Sequence, residues 1–101
     1  MLQYIQEHYN GELTLAQIAG SANISENECL RCFRRMLSCT PIQYVKQMRI
    51  QKAAELLVST NRKISDIGVE CGFQEMSYFA KIFRTLTGNT PGAFRKKHTL
   101  N

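Results

Sequence analysis

At 101 residues with 44% apolar side chains, the chain is large enough for one compact domain or two small sub-domains, too small for a large enzyme, and too apolar for wholesale disorder. No apolar run approaches the roughly 18–20 residues that span a bilayer, and the first residues lack the basic start and apolar stretch of a secretory signal, so a soluble, cytosolic protein is expected. The net charge of +5 is unevenly spread: residues 1–30 hold Glu7, Glu12, Glu26 and Glu28 and no Lys or Arg, whereas residues 31–101 hold all 13 Lys and Arg against Glu55, Asp66, Glu70 and Glu75. Such a basic surface fits a polyanionic partner such as nucleic acid, and equally an ordinary solvated surface.

Taken in chain order, the sequence reads as helices, with no β-alternation. Leu2, Ile5 and Tyr9 share one helical stripe, and Asn10-Gly11 ends that helix. Thr14 with Gln17 forms a capping box that opens a short helix carrying Leu15, Ile18, Ala19 and Ala22. A tight turn follows at Asn23-Ile24, where Asn tolerates a left-handed backbone. Ser25 with Glu28 is a second capping box, starting a helix to about Leu37 whose apolar stripe is Cys29, Cys32 or Phe33, and Met36. Thr40-Pro41 with Gln43 starts a long helix to about Val58, with Val45, Met48, Ala53, Leu56 and Leu57 along one broad face. Ser59-Thr60-Asn61 is a loop. Ile64, Ile67 and Cys71 then form the core face of a short helix ending at Gly72, and Phe73-Gln74 makes the next turn. A helix from Glu75 to about Leu86 turns Phe79, Ile82, Phe83 and Leu86 inward; Thr87-Gly88-Asn89 stops it, and Thr90-Pro91 opens a last helix with Ala93 and Phe94.

Cys29, Cys32, Cys39 and Cys71 raise the question of metal or redox chemistry. Cys29-x-x-Cys32 has no second pair at ligand spacing, the only histidines are His8 and His98 near the ends, and no βαβ pattern surrounds the pair. A disulfide framework does not fit a chain of this core content without a secretory signal. Two thiols at i,i+3 are better placed as small apolar groups facing the core, so no metal and no cofactor is expected.

The elements repeat. Leu15, Ile18 and Ala22 match Ile64, Ile67 and Cys71 at an offset of 49; Cys29, Arg31, Phe33, Arg34, Thr40, Pro41 and Tyr44 match Phe79, Lys81, Phe83, Arg84, Thr90, Pro91 and Phe94 at an offset of 50. The one-residue change falls in the turn between the paired helices, where an insertion costs least. A short helix, a turn of three to four residues and a longer helix have the proportions of a helix-turn-helix. The expected fold is therefore all-α, about seven homeodomain-like helices, with a first helix-turn-helix unit in residues 1–40, a linker helix in 41–58 and a second unit in 59–101.

In such a motif the second helix enters the major groove and its outward side chains reach base edges. Removing core positions leaves Glu26, Asn27, Leu30, Arg31 and Arg34 outward in the first unit, and Met76, Ser77, Tyr78, Ala80, Lys81 and Arg84 in the second. Arg31 and Lys81 are equivalent: Arg grips guanine bidentately and Lys does so with less direction, while Asn27 suits adenine and Ala80 or Met76 a thymine methyl. Arg34, Arg35, Arg49, Lys52, Arg84, Arg95, Lys96 and Lys97 are assigned to phosphates, which set affinity and register. Some 18 residues of linker helix at about 1.5 Å each, with end turns, suit recognition helices near 34 Å apart, about one turn of duplex. The expected partner is double-stranded DNA, contacted in two successive major grooves at an asymmetric site.

The stretch Ile64-Ser65-Asp66-Ile67-Gly68 through Cys71-Gly72-Phe73, then Ser77-Tyr78-Phe79, Phe83-Arg84 and Gly88-x-Thr90-Pro91-x-x-Phe94-Arg95, resembles the signature of AraC/XylS-family bacterial transcription regulators. The resemblance covers essentially the whole chain, more loosely in the first unit. It implies base contacts from Asn27, Leu30, Arg31, Met76, Ser77, Tyr78, Ala80 and Lys81. It also implies a location in the bacterial cytoplasm on the nucleoid, RNA polymerase as a partner where the regulator activates, and an N-terminal effector or dimerisation domain in a longer protein. The chain departs from the pattern at Asn23 (often Gly), Leu30 (often polar), Lys63 (often a capping Ser or Thr) and Gly68, which replaces a small helix former at roughly 1 kcal/mol. Two other readings are a protein-interaction module that sets a basic face on an acidic partner and a cysteine-based switch. An enzyme has no nucleophile or paired-carboxylate arrangement to support it.

Overall fold

The computed structural model describes residues 1–98; the last three residues of the second expected unit lie outside them. Seven helices follow in order: α1 Leu2–His8, α2 Leu15–Ser21, α3 Glu26–Leu37, α4 Pro41–Ser59, α5 Ile64–Glu70, α6 Met76–Thr87 and α7 Pro91–His98. There is no strand among the described residues. The chain divides into two compact units, Met1–Met48 and Arg49–Asn101, and α4 gives its first turns to one and its remaining turns to the other.

The first core gathers Ile5, Ile18, Ala19, Cys29, Phe33 and Val45, with Leu13, Ile24, Tyr44 and Met48 packed around them. The second gathers Ile50, Ala53, Leu57, Ile67, Cys71, Phe73, Phe79 and Phe83, flanked by Ile64, Met76 and Phe94. The sequence predicts one broad apolar face along α4. Instead Val45 serves the first core while Ile50, Ala53 and Leu57 serve the second, which is why no single stripe runs the length of that helix.

The repeat extends to the backbone. Asn23 has φ 58° and Gly72 φ 101° in the two helix-turn-helix turns; Ser38 has φ 58° and Gly88 φ 84° where α3 and α6 end. The turn runs over residues 22–25 in the first unit and 71–75 in the second, so the second turn is one residue longer than a three-to-four residue turn. Ser38 was not foreseen as left-handed. A Cβ in that region costs roughly 1–2 kcal/mol, and glycine is the usual solution at a helix end. Ser38→Gly is therefore expected to stabilise the first unit by about 0.5–1 kcal/mol once the greater freedom of unfolded glycine is counted. A fall in denaturation midpoint would show that the serine side chain contributes more than its strain.

Capping follows the sequence closely. Gln17 N–H donates to Thr14 Oγ1 (3.2 Å) while Thr14 N–H donates to Gln17 Oε1 (2.9 Å), and Thr40 and Gln43 exchange the same pair at 3.1 and 2.9 Å. The second box is only half made. Glu28 N–H donates to Ser25 Oγ, but the Glu28 carboxylate turns to Arg31 instead of to the cap. Lys63 caps α5 with no side-chain hydrogen bond.

Some expected core positions are outside. Leu2, Met36 and Leu86 are exposed, as is Ala22. Met36 and Leu86 are equivalent, in the last turns of α3 and α6. A 12-residue helix runs about 18 Å and a seven-residue partner about 10 Å, so the longer helix outreaches the shorter one. Ala22 sits at the C-cap of α2, past its packed turns.

Of the four thiols, Cys29 and Cys71 are buried and Cys32 and Cys39 only partly so; the expectation of two inward thiols thus holds fully for Cys29 alone of the α3 pair. Burial pushes the Cys71 thiol up to about 11 and raises Cys29 as well. A thiol reagent on the native protein at neutral pH should modify Cys32 and Cys39 and reach Cys29 and Cys71 only on unfolding. Rapid modification of Cys71 would contradict the packing. Among the described residues no three His, Cys, Asp or Glu side chains cluster as metal ligands, and no helix is long and apolar enough to cross a membrane.

Candidate nucleic-acid interface

Each candidate reading helix is fixed by its buried side chains. On α3, Cys29 and Phe33 are buried, and the Phe33 ring meets Tyr44 edge-on at 5.9 Å. On α6, Phe79 and Phe83 are buried within an aromatic chain: Phe73–Phe79 at 4.9 Å, Phe79–Phe83 at 5.8 Å and Phe83–Phe94 at 5.2 Å. With these inward, helical geometry turns Arg31 and Lys81, midway between each buried pair, to solvent.

Asn27, Arg31, Arg34 and Arg35 are exposed on α3, and Leu30 is half-buried. Arg31 is 71% exposed and pairs with Glu28 one turn earlier. On α6, Ser77, Tyr78, Lys81 and Arg84 are exposed and Ala80 is half-buried. The Ser77 hydroxyl donates to Glu75 Oε1 at 2.6 Å, and Tyr78 leans on Phe73 at 6.2 Å. Met76 departs from the expected outward face: it is half-buried and packs against the second core, because its thioether lies over Gly68.

Both helices end in bases, and α3 alone carries acids, Glu26 and Glu28, in its first turn. Arg34 and Arg35 occupy the last turn of α3, and Arg84 that of α6. Cations there complement the helix dipole with or without DNA. The same holds for Lys96 and Lys97, exposed in the last turn of α7.

The remaining assigned cations differ in setting. Lys52 and Arg49 are half-buried. Burial lowers the Arg49 guanidinium from its ordinary value, and the neighbouring Tyr78 opposes this. Arg95 is tied to the end of α4: its Nε donates to the Leu57 carbonyl at 3.0 Å and its Nη2 to the Thr60 carbonyl at 3.2 Å. It thus satisfies carbonyls that a helix end leaves open. Sequence reasoning missed this role because the partners lie 35 and 38 residues away; it also missed the Glu28–Arg31 pair, whose i,i+3 spacing was the available signal. Arg95→Ala should lower the stability of the second unit by about 2–3 kcal/mol, as charge-assisted bonds to part-buried carbonyls are lost. An unchanged denaturation midpoint would refute that structural role.

Arg62 and Glu70 form a second unforeseen pair at 2.6 Å. The hydrogen bond from Arg62 holds the Glu70 carboxyl below its ordinary value. A depressed carboxyl stabilises the fold above its unfolded value, and this is lost as pH falls through the lowered folded value. Exposure makes the contribution small.

The comparisons with known proteins agree with this arrangement. The family model described as a helix-turn-helix domain matches residues 18–97. The chain is 36% identical over 99 residues to the HTH-type transcriptional regulator YdeC of Bacillus subtilis, covering 98% of this chain and 34% of YdeC. It therefore spans about a third of the length of that curated relative. Among solved structures, the C-terminal domain of AraT, a response regulator from Geobacillus stearothermophilus, is 32% identical with a TM-score of 0.91, covering 98% of this chain and 83% of that one. A transcriptional regulator with an AraC-type DNA-binding domain from Chromobacterium violaceum is 26% identical with a TM-score of 0.88, covering 93% and 84%. Two helix-turn-helix units with matched cores, matched turns and matched basic positions, together with these likenesses, place the chain in the AraC-type helix-turn-helix family, the DNA-binding domains of transcription regulators.

Proposed function

We propose that a single chain reads an asymmetric duplex site, α3 and α6 each entering its own major groove in two successive turns of DNA. The observation that carries this reading is the equivalence of Arg31 and Lys81: both stand exposed on the outer face of a helix whose inner face is locked by paired aromatic or thiol positions. Matching cations on two matching helices serve two contacts of one kind, whereas the side chains beside them differ, so the two half-sites differ.

In the first unit, Arg31 reads guanine after exchanging Glu28 for the base, and Asn27 reads adenine. Leu30, half-buried, offers an apolar contact at most. In the second unit, Lys81 and Ser77 supply polar contacts, Ala80 a thymine-methyl contact, and Tyr78 and Met76 the edge of the reading surface. Arg34, Arg35, Arg49, Lys52, Arg84, Lys96 and Lys97 take phosphates; Arg95 belongs to the fold first. Where the regulator activates, RNA polymerase is a further partner.

Selection from a random duplex pool, followed by affinity measured against salt, tests the reading. The expected result is an enriched non-palindromic motif, and a steep loss of affinity with salt that flattens by about one unit of slope for each phosphate-contacting cation removed. A pool that enriches no motif would exclude sequence-specific binding and favour an acidic protein partner.

A further inference from the structure

Gly68 is the oddest residue in the second unit by its sequence, since alanine is the better helix former and nothing in its backbone demands glycine. The structure supplies another reason. Gly68 is buried on α5, and a Cβ added to it would lie 2.9 Å from Cδ2 of Phe79 and 3.0 Å from both Cε and Sδ of Met76. Carbon atoms in good contact sit about 3.5–4.0 Å apart. Both obstructing residues belong to α6, the second candidate reading helix.

The first unit is an internal control. At the repeat offsets, Gly68 corresponds to Ala19 and Phe79 to Cys29; Ala19 and Cys29 are buried in the first core as Gly68 and Phe79 are in the second. The first core thus holds a methyl and a thiol at the two positions where the second has no side chain and a phenyl ring. Met76 adds a demand with no counterpart, since the equivalent position in the first unit is the exposed Glu26.

We infer that Gly68 is a positioning residue for DNA recognition: by leaving room for the Phe79 ring and the Met76 thioether, it sets the seat of the first turns of α6 and so the presentation of Ser77, Ala80 and Lys81 to bases. The ring of Phe79 is enclosed by Phe73 and Phe83 and yields little. A methyl group on residue 68 therefore displaces α6 by a few tenths of an ångström and drives the Met76 tip outward toward the groove. Base readout depends on placement within about 0.5 Å, so the effect falls on sequence preference and not on general affinity. This inference rests on the proposed reading of α6 as a recognition helix.

The test compares base preferences of the wild-type domain, Gly68→Ala, Phe79→Leu and Gly68→Ala/Phe79→Leu, each by selection from the same random duplex pool. Gly68→Ala is expected to reduce discrimination at the base pairs read by α6 by about tenfold, and to leave those read by α3 within about twofold. Its melting temperature should not rise, although helix propensity alone would raise it. The Phe79→Leu background relieves the ring contact and keeps the Met76 contact, so the added methyl should still alter the preference under the first turn of α6; this pair decides the matter if Gly68→Ala alone does not fold. If the methyl changes preference on neither background, or weakens all sequences alike, the inference is overturned. Absence of any motif with the wild-type domain would instead sink the proposed function, and this inference with it.

Discussion

Phe83→Ala should cost the second unit about 3–5 kcal/mol, the usual loss when a large aromatic is truncated in a core that cannot collapse around the void. Phe83 is fully buried and stands between Phe79 and Phe94, edge-on to both, so its removal ends the aromatic chain that fixes α6 and seats α7. Small domains hold about 5–15 kcal/mol in total, and units of about 50 residues sit at the low end of what a single core supports. The variant is therefore expected to populate an unfolded second unit near physiological temperature. Denaturant titration with the equivalent Phe33→Ala as companion checks this, each change being assigned to its unit by amide exchange. A loss under 1 kcal/mol for Phe83→Ala would mean that the aromatic chain is dispensable. Such a variant should also bind only the half-site read by α3.

Arg31→Ala and Lys81→Ala are expected to cost about 1–3 kcal/mol each at the bound site, and to relax preference at different ends of it. Geometry predicts the larger loss for Arg31, because a guanidinium engages two acceptors at once while an ammonium engages one point. Part of Arg31's gain is offset by release of Glu28, its partner in the free chain. Accordingly Glu28→Gln should raise affinity most for sites that carry the base read by Arg31, provided Arg31 remains in place. Competition assays with every single base-pair substitution of the selected site make the comparison. If both alanine variants weakened all sequences equally, Arg31 and Lys81 would be phosphate contacts and α3 and α6 would lack their central readers.

Helices whose signals are local were legible in the sequence. Thr14-Gln17 and Thr40-Gln43 close as reciprocal caps because partner and cap are three residues apart, and Asn23 adopts the left-handed turn its side chain tolerates. The duplication was legible because core residues recur at a fixed offset. Errors came where burial depends on what lies opposite. Met36 and Leu86 continue apolar stripes beyond the reach of α2 and α5, and periodicity along one helix carries no record of its neighbour's length. Ser25–Glu28 has the spacing of a capping box, but a cation one turn further on competes for the carboxylate. Arg95 reads as one more base in a basic tail until the carbonyls of Leu57 and Thr60 are placed beside it. Gly68 reads as a weak helix residue until Phe79 and Met76 occupy the space above it. In the candidate site, exposure of Arg31 and Lys81 followed from helical spacing, whereas the inward turn of Met76 did not.

In the proposed reading, one chain uses two unequal helices on one asymmetric site. Methylation interference on the selected duplex, combined with the measured stoichiometry, tests it most directly. The expected result is one chain per duplex and two clusters of essential major-groove positions, different in sequence and about 10 base pairs apart centre to centre. Lys81→Ala should erase one cluster and Arg31→Ala the other. A single cluster, or a palindromic pair requiring two chains, would contradict it.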